Sequence, residues 1–265
     1  MRRRFFVDRF ESNTANLHGD AAEHLGRVLR AEPGQLYELS DGERVWLAKI
    51  ERVALSKRGD NRIEFALVEP LPAREPALKI ELLISLVKFD RLEWCIEKAT
   101  ELGASEIILL AAARSDKPLV AAAAKRLARW EKIVLESAQQ SRRLRPPAMR
   151  APIAPGKAFL ESSAAHKLLL SERNDAPTMR AALDGILGGR NFSSDNKQVR
   201  SRGASVPEGS VSAALAIGPE GGWTDPEIAS ARAAGFVEAS LGENILRAET
   251  AVLASMAILS FAVAG

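Results

Sequence analysis

Two short segments near the carboxyl terminus combine residue types that could hold a small molecule. The first is an apolar run, 214–217, that ends in the glycine-rich turn 218–222, and the second is 241–250. A buried parallel strand that stops at such a turn is where open α/β sheets bind ligands, at the carboxyl ends of their strands. Two such loops together would suit a flat, uncharged base held by backbone groups, with carboxylates near a cation. Adenosine that carries a sulfonium has this chemistry.

The first segment taken alone is equally consistent with an ordinary strand-turn-helix whose glycines serve tight turns. Neither segment is a phosphate-binding loop, because the GxxxxGK[ST] and GxGxxG spacings are absent. The helix expected after the first segment begins at the capping-box spacing of Thr224 and Glu227 and ends at Gly235. The second segment is expected to open the last helix.

Composition and charge exclude several classes of protein. The chain has 265 residues, 46% of them hydrophobic, which allows one large domain or two modest ones. A single cysteine, Cys95, excludes an internal disulfide framework and agrees with a reducing cytoplasm. Its spacing places it on the apolar side of an expected helix, which indicates a buried core residue and not a nucleophile. The three histidines lack metal-ligand spacing, so no metal is expected. No signal peptide is recognised at the amino terminus, and the apolar run 251–264 is too short to span a bilayer.

The pattern of the chain predicts a small β-rich domain over residues 1–73. A helix is expected from Asp20 to about Leu29, and the Asp41-Gly42 pair predicts a hairpin. A closed or nearly closed barrel would remove the edges of this sheet. The expected strands are 4–8, 35–40, 44–50 and 62–68.

A proline-rich linker, 69–76, is predicted to separate this domain from a second one over 77–265. Strands then alternate with helices, which predicts an α/β domain with a parallel sheet covered on both faces. One long helix is expected over 121–141. The polar segment 188–209 is predicted to be a mobile insertion without a catalytic residue. The expected strands include 78–85, 106–110 and 167–171.

The two segments of the first paragraph, read as LAIGPEGGWTDPE and LGENILRAETA, resemble the second and third motifs of the RsmE family of 16S ribosomal RNA methyltransferases. The stretches HLGRVLR and LVKFDRLEWCIEKATELGASEI resemble that family as well. The resemblance implies the SPOUT fold with a deep trefoil knot in the carboxyl-terminal domain, and a PUA-like barrel at the amino terminus. It also implies methylation of N3 of a uridine with S-adenosylmethionine, a substrate in the small ribosomal subunit, and a homodimer, for which the apolar run 251–264 would supply the interface.

The same resemblance implies a set of cofactor-binding residues. Backbone groups of the second segment would hold the adenine, and the glycine-rich turn would form the opposite wall. Leu170 and Glu172, at the end of an expected strand, would face the same ligand, although Glu172 fits an ordinary surface position equally well. The expected cofactor-binding residues are Gly218, Pro219, Glu220, Gly221, Gly222, Leu241, Gly242, Ile245, Leu246, Leu170 and Glu172.

Methylation of uridine N3 requires an unpaired base, alignment of nitrogen, methyl and sulfur, and loss of the N3 proton. Arg247, in the second segment at the start of the last helix, is expected to stabilise the charge that develops on the flanking carbonyls. Glu249 or Glu220 would orient Arg247 or accept the proton. The alternative role of Arg247 is an ion pair that holds the knot together.

Arginine beside aromatic rings suits RNA phosphates and unstacked bases. At the amino terminus, the alternative is a solvated charged end with core phenylalanines. The family carries a Glu-Gln-Ser-Gly-Arg-like run where this chain reads QQSRR, so Gln139 and Arg142 depart from the pattern. The expected RNA-binding residues are Arg2, Arg3, Arg4, Phe5, His24, Arg27, Arg30, Lys88, Gln140, Ser141 and Arg143.

Two rival functions stay open at this point. The first is a related SPOUT enzyme that methylates another base or a ribose in a different RNA. The second is a catalytically silent RNA-binding protein that acts in ribosome assembly.

Overall fold

The computed structural model describes residues 3–56, 60–186 and 211–264, so Arg2 and the predicted insertion 188–209 lie outside the described residues. The chain divides into two compact units. The first comprises the residues up to Glu75 together with 135–146, and the second comprises 76–134 together with the residues from Pro147 onward. From the sequence alone, residues 135–146 were assigned to the second domain, whereas by contacts they group with the first unit.

The first unit contains one six-stranded sheet in the order β1-β4-β5-β6-β3-β2. Only the β1–β4 pair is parallel. The predicted alternation along β6 is confirmed, because Ile63, Phe65 and Leu67 are 0%, 1% and 7% exposed. The strands are β1 (Arg4–Phe6), β2 (Phe10–Glu11), β3 (Thr14–His18), β4 (Leu36–Ser40), β5 (Val45–Ala54) and β6 (Arg62–Leu71).

The predicted hairpin at Asp41-Gly42 is confirmed as the turn between β4 and β5. Gly42 has a φ of 90°, a backbone conformation that glycine adopts without strain. The Asp41 carboxylate accepts hydrogen bonds from the backbone N–H groups of Glu43 (3.0 Å) and Arg44 (2.7 Å). The side chain therefore closes the turn that the sequence indicates.

Two predictions for the first unit are wrong in detail. The helix expected from Asp20 to Leu29 is α1 (Gly19–Glu23), followed by a π-helical turn, His24–Val28. Strand β6 runs through Pro70, inside the predicted linker. Proline is tolerated there because β6 pairs with β3 only as far as Ala66, so one side of the strand has no partner strand at residue 70.

The second unit contains a six-stranded sheet in the order β12-β10-β11-β7-β8-β9, and every strand pair in it is parallel. The prediction of an α/β fold with a parallel sheet is confirmed. The strands are β7 (Leu78–Ser85), β8 (Ala104–Leu110), β9 (Ala148–Ile153), β10 (His166–Leu170), β11 (Val211–Ile217) and β12 (Val237–Ala239).

Among the described residues, seven further helices, α2 to α8, lie after β7 in the chain. The single helix expected over 121–141 is instead α3 and α4 joined by a 3₁₀ turn, Ala124–Arg126. The turn keeps right-handed backbone angles, with a φ of −58° at Ala124. Because these angles are close to those of an α-helix, the spacing of apolar residues in the sequence does not distinguish the turn from one continuous helix. None of the described helices is long and apolar enough to cross a membrane. The helices are α2 (Phe89–Glu101), α3 (Lys117–Ala123), α4 (Leu127–Gln140), α5 (Pro155–Glu161), α6 (Met179–Ile186), α7 (Asp225–Ala233) and α8 (Ala248–Ala264).

Both faces of the central strands β7, β8 and β11 are buried toward their carboxyl ends, which explains why those parts are apolar without alternation. Leu82 and Ile84 of β7 point to one face and share a core with Leu92 of α2 and Val252 of α8. Leu83 points to the other face, toward α5 and α7. The sheet is therefore a rigid layer whose strand ends can hold loops in fixed positions.

We expect Leu82→Ala to lower the free energy of unfolding by about 2–5 kcal/mol, because it leaves a cavity in the central strand. Leu82 is 0% exposed, whereas Leu160, which is 75% exposed, provides the matched control. Leu160→Ala should change the stability by less than about 0.5 kcal/mol. Denaturant titration followed by circular dichroism measures both variants, and equal losses would contradict this account of the core.

Candidate active site

A cavity of about 630 Å³ opens at the carboxyl ends of β10, β11 and β12. Because parallel strands end at the same edge of a sheet, the loops that follow them meet there. The two segments singled out in the sequence both line this one cavity. The predicted cofactor-binding residues that line it are Gly218, Pro219, Glu220, Gly221, Gly222, Leu241, Gly242, Ile245, Leu246, Leu170 and Glu172.

The loop after β11 is held against the end of β10 by an indole. Trp223 Nε1 donates a hydrogen bond to the carbonyl of Leu170 at 2.9 Å, and the Gly222 N–H donates to the Pro219 carbonyl at 2.8 Å. A Cβ atom on Gly218 would lie 3.0 Å from Trp223 Nε1. Glycine at this position therefore allows the close approach of the loop to Trp223.

The start of α7 ties the same loop to the end of β8. The Glu227 carboxylate accepts hydrogen bonds from the N–H groups of Thr224 and Ala113, both at 2.8 Å. The bond to Thr224 is one half of the predicted capping box. The Thr224 hydroxyl also donates to Glu227 at 2.7 Å. One carboxylate thus fixes the helix start and a loop more than 100 residues earlier in the chain.

The loop after β12 is ordered by a hydrogen bond within the loop and by another to the start of α6. The Ser240 hydroxyl donates to the Gly242 carbonyl at 3.0 Å, and the Ser240 carbonyl accepts from the Met179 N–H at 2.7 Å. Gly242 has a φ of 132°. Arg247 immediately precedes α8, and its carbonyl accepts from the Ala251 N–H at 2.9 Å. The first turn of α8 therefore opens onto the cavity, which Ala248 and Ala251 also line.

Sequence reasoning missed three arginines that line the cavity: Arg91, Arg114 and Arg173. Arg114 Nη1 donates to the carbonyls of Gly221 (2.9 Å) and Trp223 (3.3 Å), and Arg173 pairs with Asp225 at 3.3 Å. Each arginine lies within six residues of the end of β7, β8 or β10. Their positions after parallel strands were the available signal, because those strand ends share one edge.

Of the predicted catalytic residues, Arg247 and Glu220 line the cavity and Glu249 does not. Glu220 forms an ion pair with Arg91. Glu249 lies in the first turn of α8, with its Oε1 3.9 Å from Arg91 Nε. Its Oε2 is buried and has no hydrogen-bond partner among the described residues.

Two residues expected to bind RNA are placed in the interior of the first unit. Phe5 is 0% exposed and packs edge-on against Tyr37, with ring centroids 5.6 Å apart. Arg4 has a side chain that is 12% exposed and donates to Glu38 through Nε (3.1 Å) and Nη2 (2.9 Å). This burial argues against the predicted RNA contacts of both residues, and the core alternative describes Phe5 better.

Other RNA candidates in the first unit remain near the surface. Arg27 donates to the Ser56 carbonyl at 3.0 Å, and Arg30 is exposed with a φ of 53°. His24 lies in the π-helical turn, half-buried, and its Nε2 has no hydrogen-bond partner among the described residues. Arg3 is half-buried.

The QQSRR run lies at the end of α4. Gln140 is exposed, and the Ser141 hydroxyl donates to the Ser137 carbonyl at 2.6 Å. Burial lowers the pKa of the Arg143 guanidinium to about 10. Gln139 is 4% exposed, and its Oε1 has no hydrogen-bond partner among the described residues. Lys88, by contrast, is exposed in the second unit, at the start of α2.

Cys95 lies on the buried face of α2 and is 0% exposed, as its helical spacing predicts. The pKa of the Cys95 thiol is raised to about 12, mainly by burial and to a smaller extent by the negative charge of Glu249. The thiol is therefore protonated at neutral pH and unsuited to act as a nucleophile. Among the described residues, no three His, Cys, Asp or Glu side chains are grouped as metal ligands.

Comparison with known proteins identifies the class of protein to which this chain belongs. The model of the RNA methyltransferase domain matches residues 74–260, which include both cavity loops. The chain is 35% identical over 248 residues to ribosomal RNA small subunit methyltransferase E of Synechocystis, covering 92% of this chain and 70% of that protein. It is 31% identical over 259 residues to the protein of the same name from Bacillus subtilis, covering 95% and 91%.

A solved structure agrees with these sequences. The crystal structure of ribosomal RNA small subunit methyltransferase E from Neisseria gonorrhoeae, bound to S-adenosyl methionine, superposes with a TM-score of 0.76 at 29% identity and 98% coverage of both chains. The chain belongs to the ribosomal RNA small subunit methyltransferase E family. The resemblance stated from the sequence motifs is confirmed.

The raised pKa of Cys95 predicts a pH effect on stability. Above the ordinary thiol pKa of 9.0 the unfolded chain loses its proton, while the folded thiol stays protonated up to about 12. The folded state then binds more protons, so this contribution to stability falls as the pH rises from about 9 to about 11. The difference in unfolding free energy between the wild type and Cys95→Ala should shrink over that range. A difference that stays constant with pH would contradict the prediction.

Proposed function

We propose that this protein transfers a methyl group from S-adenosylmethionine to N3 of a uridine in the decoding region of 16S ribosomal RNA, within the small ribosomal subunit. The observation that carries the proposal is the meeting of the two motif loops in one cavity at the strand ends. Family membership supplies the reaction class. A location in the cytoplasm, where ribosomes are assembled, is part of the same proposal.

The cavity fits the cofactor in size and in chemistry. Its volume of about 630 Å³ lies within the range of small-molecule sites, roughly 300–1,000 Å³. A Cβ atom on Gly242 would meet no atom within 4 Å, so the backbone of this loop is open to a ligand. The backbone groups of Leu241, Gly242, Ile245 and Leu246 would hold the adenine. When bound, the cofactor supplies an electrophilic methyl group on a sulfonium.

The protein groups then perform the rest of the reaction. The cavity loops align the uridine N3 with the methyl group, which lowers the entropic part of the barrier. Arg247, exposed beside the cavity at the start of α8, stabilises the negative charge on the uracil carbonyls as N3 loses its proton. Glu220, which lines the cavity, orients this arginine or accepts the proton, whereas Glu249, which does not line it, serves only to orient an arginine.

The two predicted domains, 1–73 and 77–265, would divide the work. We assign the first a PUA-like barrel that binds RNA, supported by its six-stranded sheet and by the bulges in the β5–β6 pair. The surface cations of this region would contact phosphates, and Lys88 would do so from the methyltransferase domain. The RNA-binding residues retained in the proposal are Arg2, Arg3, His24, Arg27, Arg30, Lys88, Gln140, Ser141 and Arg143.

We assign the second domain a SPOUT fold with a deep trefoil knot. The support is the path of the chain after β12. That strand lies at the edge of the sheet, yet α8 returns to pack against the more central β11 and β7. Between β12 and α8 the chain must therefore cross the end of β10. The family resemblance predicts the knot in this region.

A homodimer is also part of the proposal, because α8 is apolar around its whole circumference. Leu253, Ile258 and Phe261 are 40%, 38% and 70% exposed, on the side of α8 that faces away from the core. Exposed apolar residues grouped in this way mark a protein interface more often than an ordinary surface. Burying them between two copies would remove them from water.

Methyl transfer to purified 30S particles that lack the modification tests the function directly. With labelled S-adenosylmethionine, the label should appear in 16S ribosomal RNA, and mapping should locate it at uridine N3. Label on a different base or on a ribose would favour the related SPOUT enzyme. RNA binding without any transfer would favour the catalytically silent assembly protein, against which the intact cavity loops argue.

Arg247→Ala should keep S-adenosylmethionine binding, measured by calorimetry, while methyl transfer falls by on the order of 100-fold, because a charge-stabilising group is lost. Arg247→Lys, which keeps the charge but not the planar fork of donors, should retain more activity. Unchanged turnover of the alanine variant would remove Arg247 from the mechanism.

Phe261→Glu should shift the protein from dimer to monomer in sedimentation, because a carboxylate is costly to bury at an apolar interface. Leu160→Glu is the matched control, since Leu160 is 75% exposed on α5, away from this face. The control should sediment like the wild type. A wild-type protein that is monomeric and fully active would overturn the dimer proposal.

A further inference from the structure

One arginine contacts residues of both motif segments. Arg91, in the first turn of α2, lines the cavity and forms an ion pair with Glu220 of the loop after β11. Its Nε is also 3.9 Å from Oε1 of Glu249, in the first turn of α8. The two motif segments are thus linked through a single guanidinium on a third element.

The element that carries Arg91 is rigid. The residues after it on α2 are packed into the main core of the second unit, where Leu92, Cys95 and Ile96 are each 0% exposed. Helix α2 also packs directly against α8. The guanidinium therefore projects from a fixed backbone, while Glu220 stands on a turn with half of its side chain exposed, 51%.

The chemistry of arginine suits this double contact. A guanidinium has five N–H donors in a planar fork, so it can serve two carboxylates on different sides, whereas the ammonium of lysine is a single point charge. The second carboxylate needs such a partner, because Glu249 is 22% exposed and its Oε2 is buried without a hydrogen bond among the described residues. A buried carboxylate without a nearby cation would be costly.

The pair is placed to affect position more than stability. Arg91 is 28% exposed and Glu220 is 51% exposed, and ion pairs this open contribute little to the folding free energy. Methyl transfer, however, depends on alignment, and a displacement of about 1 Å can cost a factor of about 100 in rate. A contact that adds little to stability can therefore still be important for turnover.

We propose that Arg91 is a positioning residue for the methyl-transfer reaction. It holds the Glu220 turn and the first turn of α8 at the mutual distance that alignment of cofactor and base requires. It acts through Glu220 and Glu249, and this role rests on the proposed function of the cavity.

The test compares Arg91→Ala, Arg91→Lys and a matched control, Arg129→Ala. Arg129 also forms an ion pair with α2, through Glu93 at 2.7 Å, but it does not line the cavity. Methyl transfer to unmodified 30S particles gives kcat and KM for S-adenosylmethionine, calorimetry gives the affinity, and thermal unfolding reports the fold. Arg91→Ala should lower kcat by on the order of 10- to 100-fold and raise the cofactor Kd by less than about tenfold.

The two other variants should separate positioning from general damage. Arg91→Lys should give a kcat between those of the alanine variant and the wild type, since it keeps one of the two contacts. Arg129→Ala should match the wild type in kcat, KM and Kd. The double variant Arg91→Ala with Glu220→Gln should lose less activity than the product of the single losses, because both changes break the same contact.

Several results would overturn the inference. If Arg91→Ala has the same kcat as Arg129→Ala, the inference is wrong. It is also wrong if Arg91→Ala changes only KM, because Arg91 would then contribute binding energy alone. If Arg91→Ala does not fold, Arg91→Lys decides, since it keeps the positive charge but not the planar fork of donors. A kcat below that of the wild type in that folded variant supports the inference, and the kcat of the wild type overturns it. A wild type that does not bind S-adenosylmethionine would instead overturn the proposed function, and this inference with it.

Discussion

Parallel pairing of β10 with both β11 and β12 is the constraint on which the cavity depends. The pairing aligns Leu169 with Ala216 on one side and with Glu238 on the other, so the three strands end at one edge. Loops separated by tens of residues in the chain are thereby brought together at that edge. The Trp223 indole then joins the first loop to the end of β10. The geometry of the site follows from backbone register before any catalytic side chain is considered.

The charge around the cavity has a different origin from its shape. Arg91, Arg114, Arg173 and Arg247 all line it. Arg114 and Arg173 are engaged with the loop carbonyls and with Asp225, so part of this positive charge holds the walls in place. Glu172, Glu220 and Glu243 line the same cavity, so among the described residues the four arginines exceed its carboxylates by one. The same arginines therefore order the loops and leave the cavity a small excess of positive charge.

The first unit shows how composition can mislead at single positions. Arginines interleaved with phenylalanines near the amino terminus suggested an RNA surface, yet β1 turns Phe5 into the core and places Arg4 on the buried Glu38. A three-residue strand gives too short an alternation to tell which side faces inward. The neighbouring strand β4, which sets the register, begins about 30 residues later. Only the pairing decides which of these side chains reach the solvent.

The amino-acid sequence by itself determined the class of fold, the positions of most strands along the chain, and the two loops that line the cavity. It could do so because apolar runs ending in glycine, and the motifs LAIGPEGGWTDPE and LGENILRAETA, are local properties of the chain. The tertiary structure alone decided that Arg91 and Arg114 line the cavity, that Glu249 does not line it, and that residues 135–146 group with the first unit. These are relations between residues far apart in the chain, and they depend on strand order and helix packing, which no local pattern encodes.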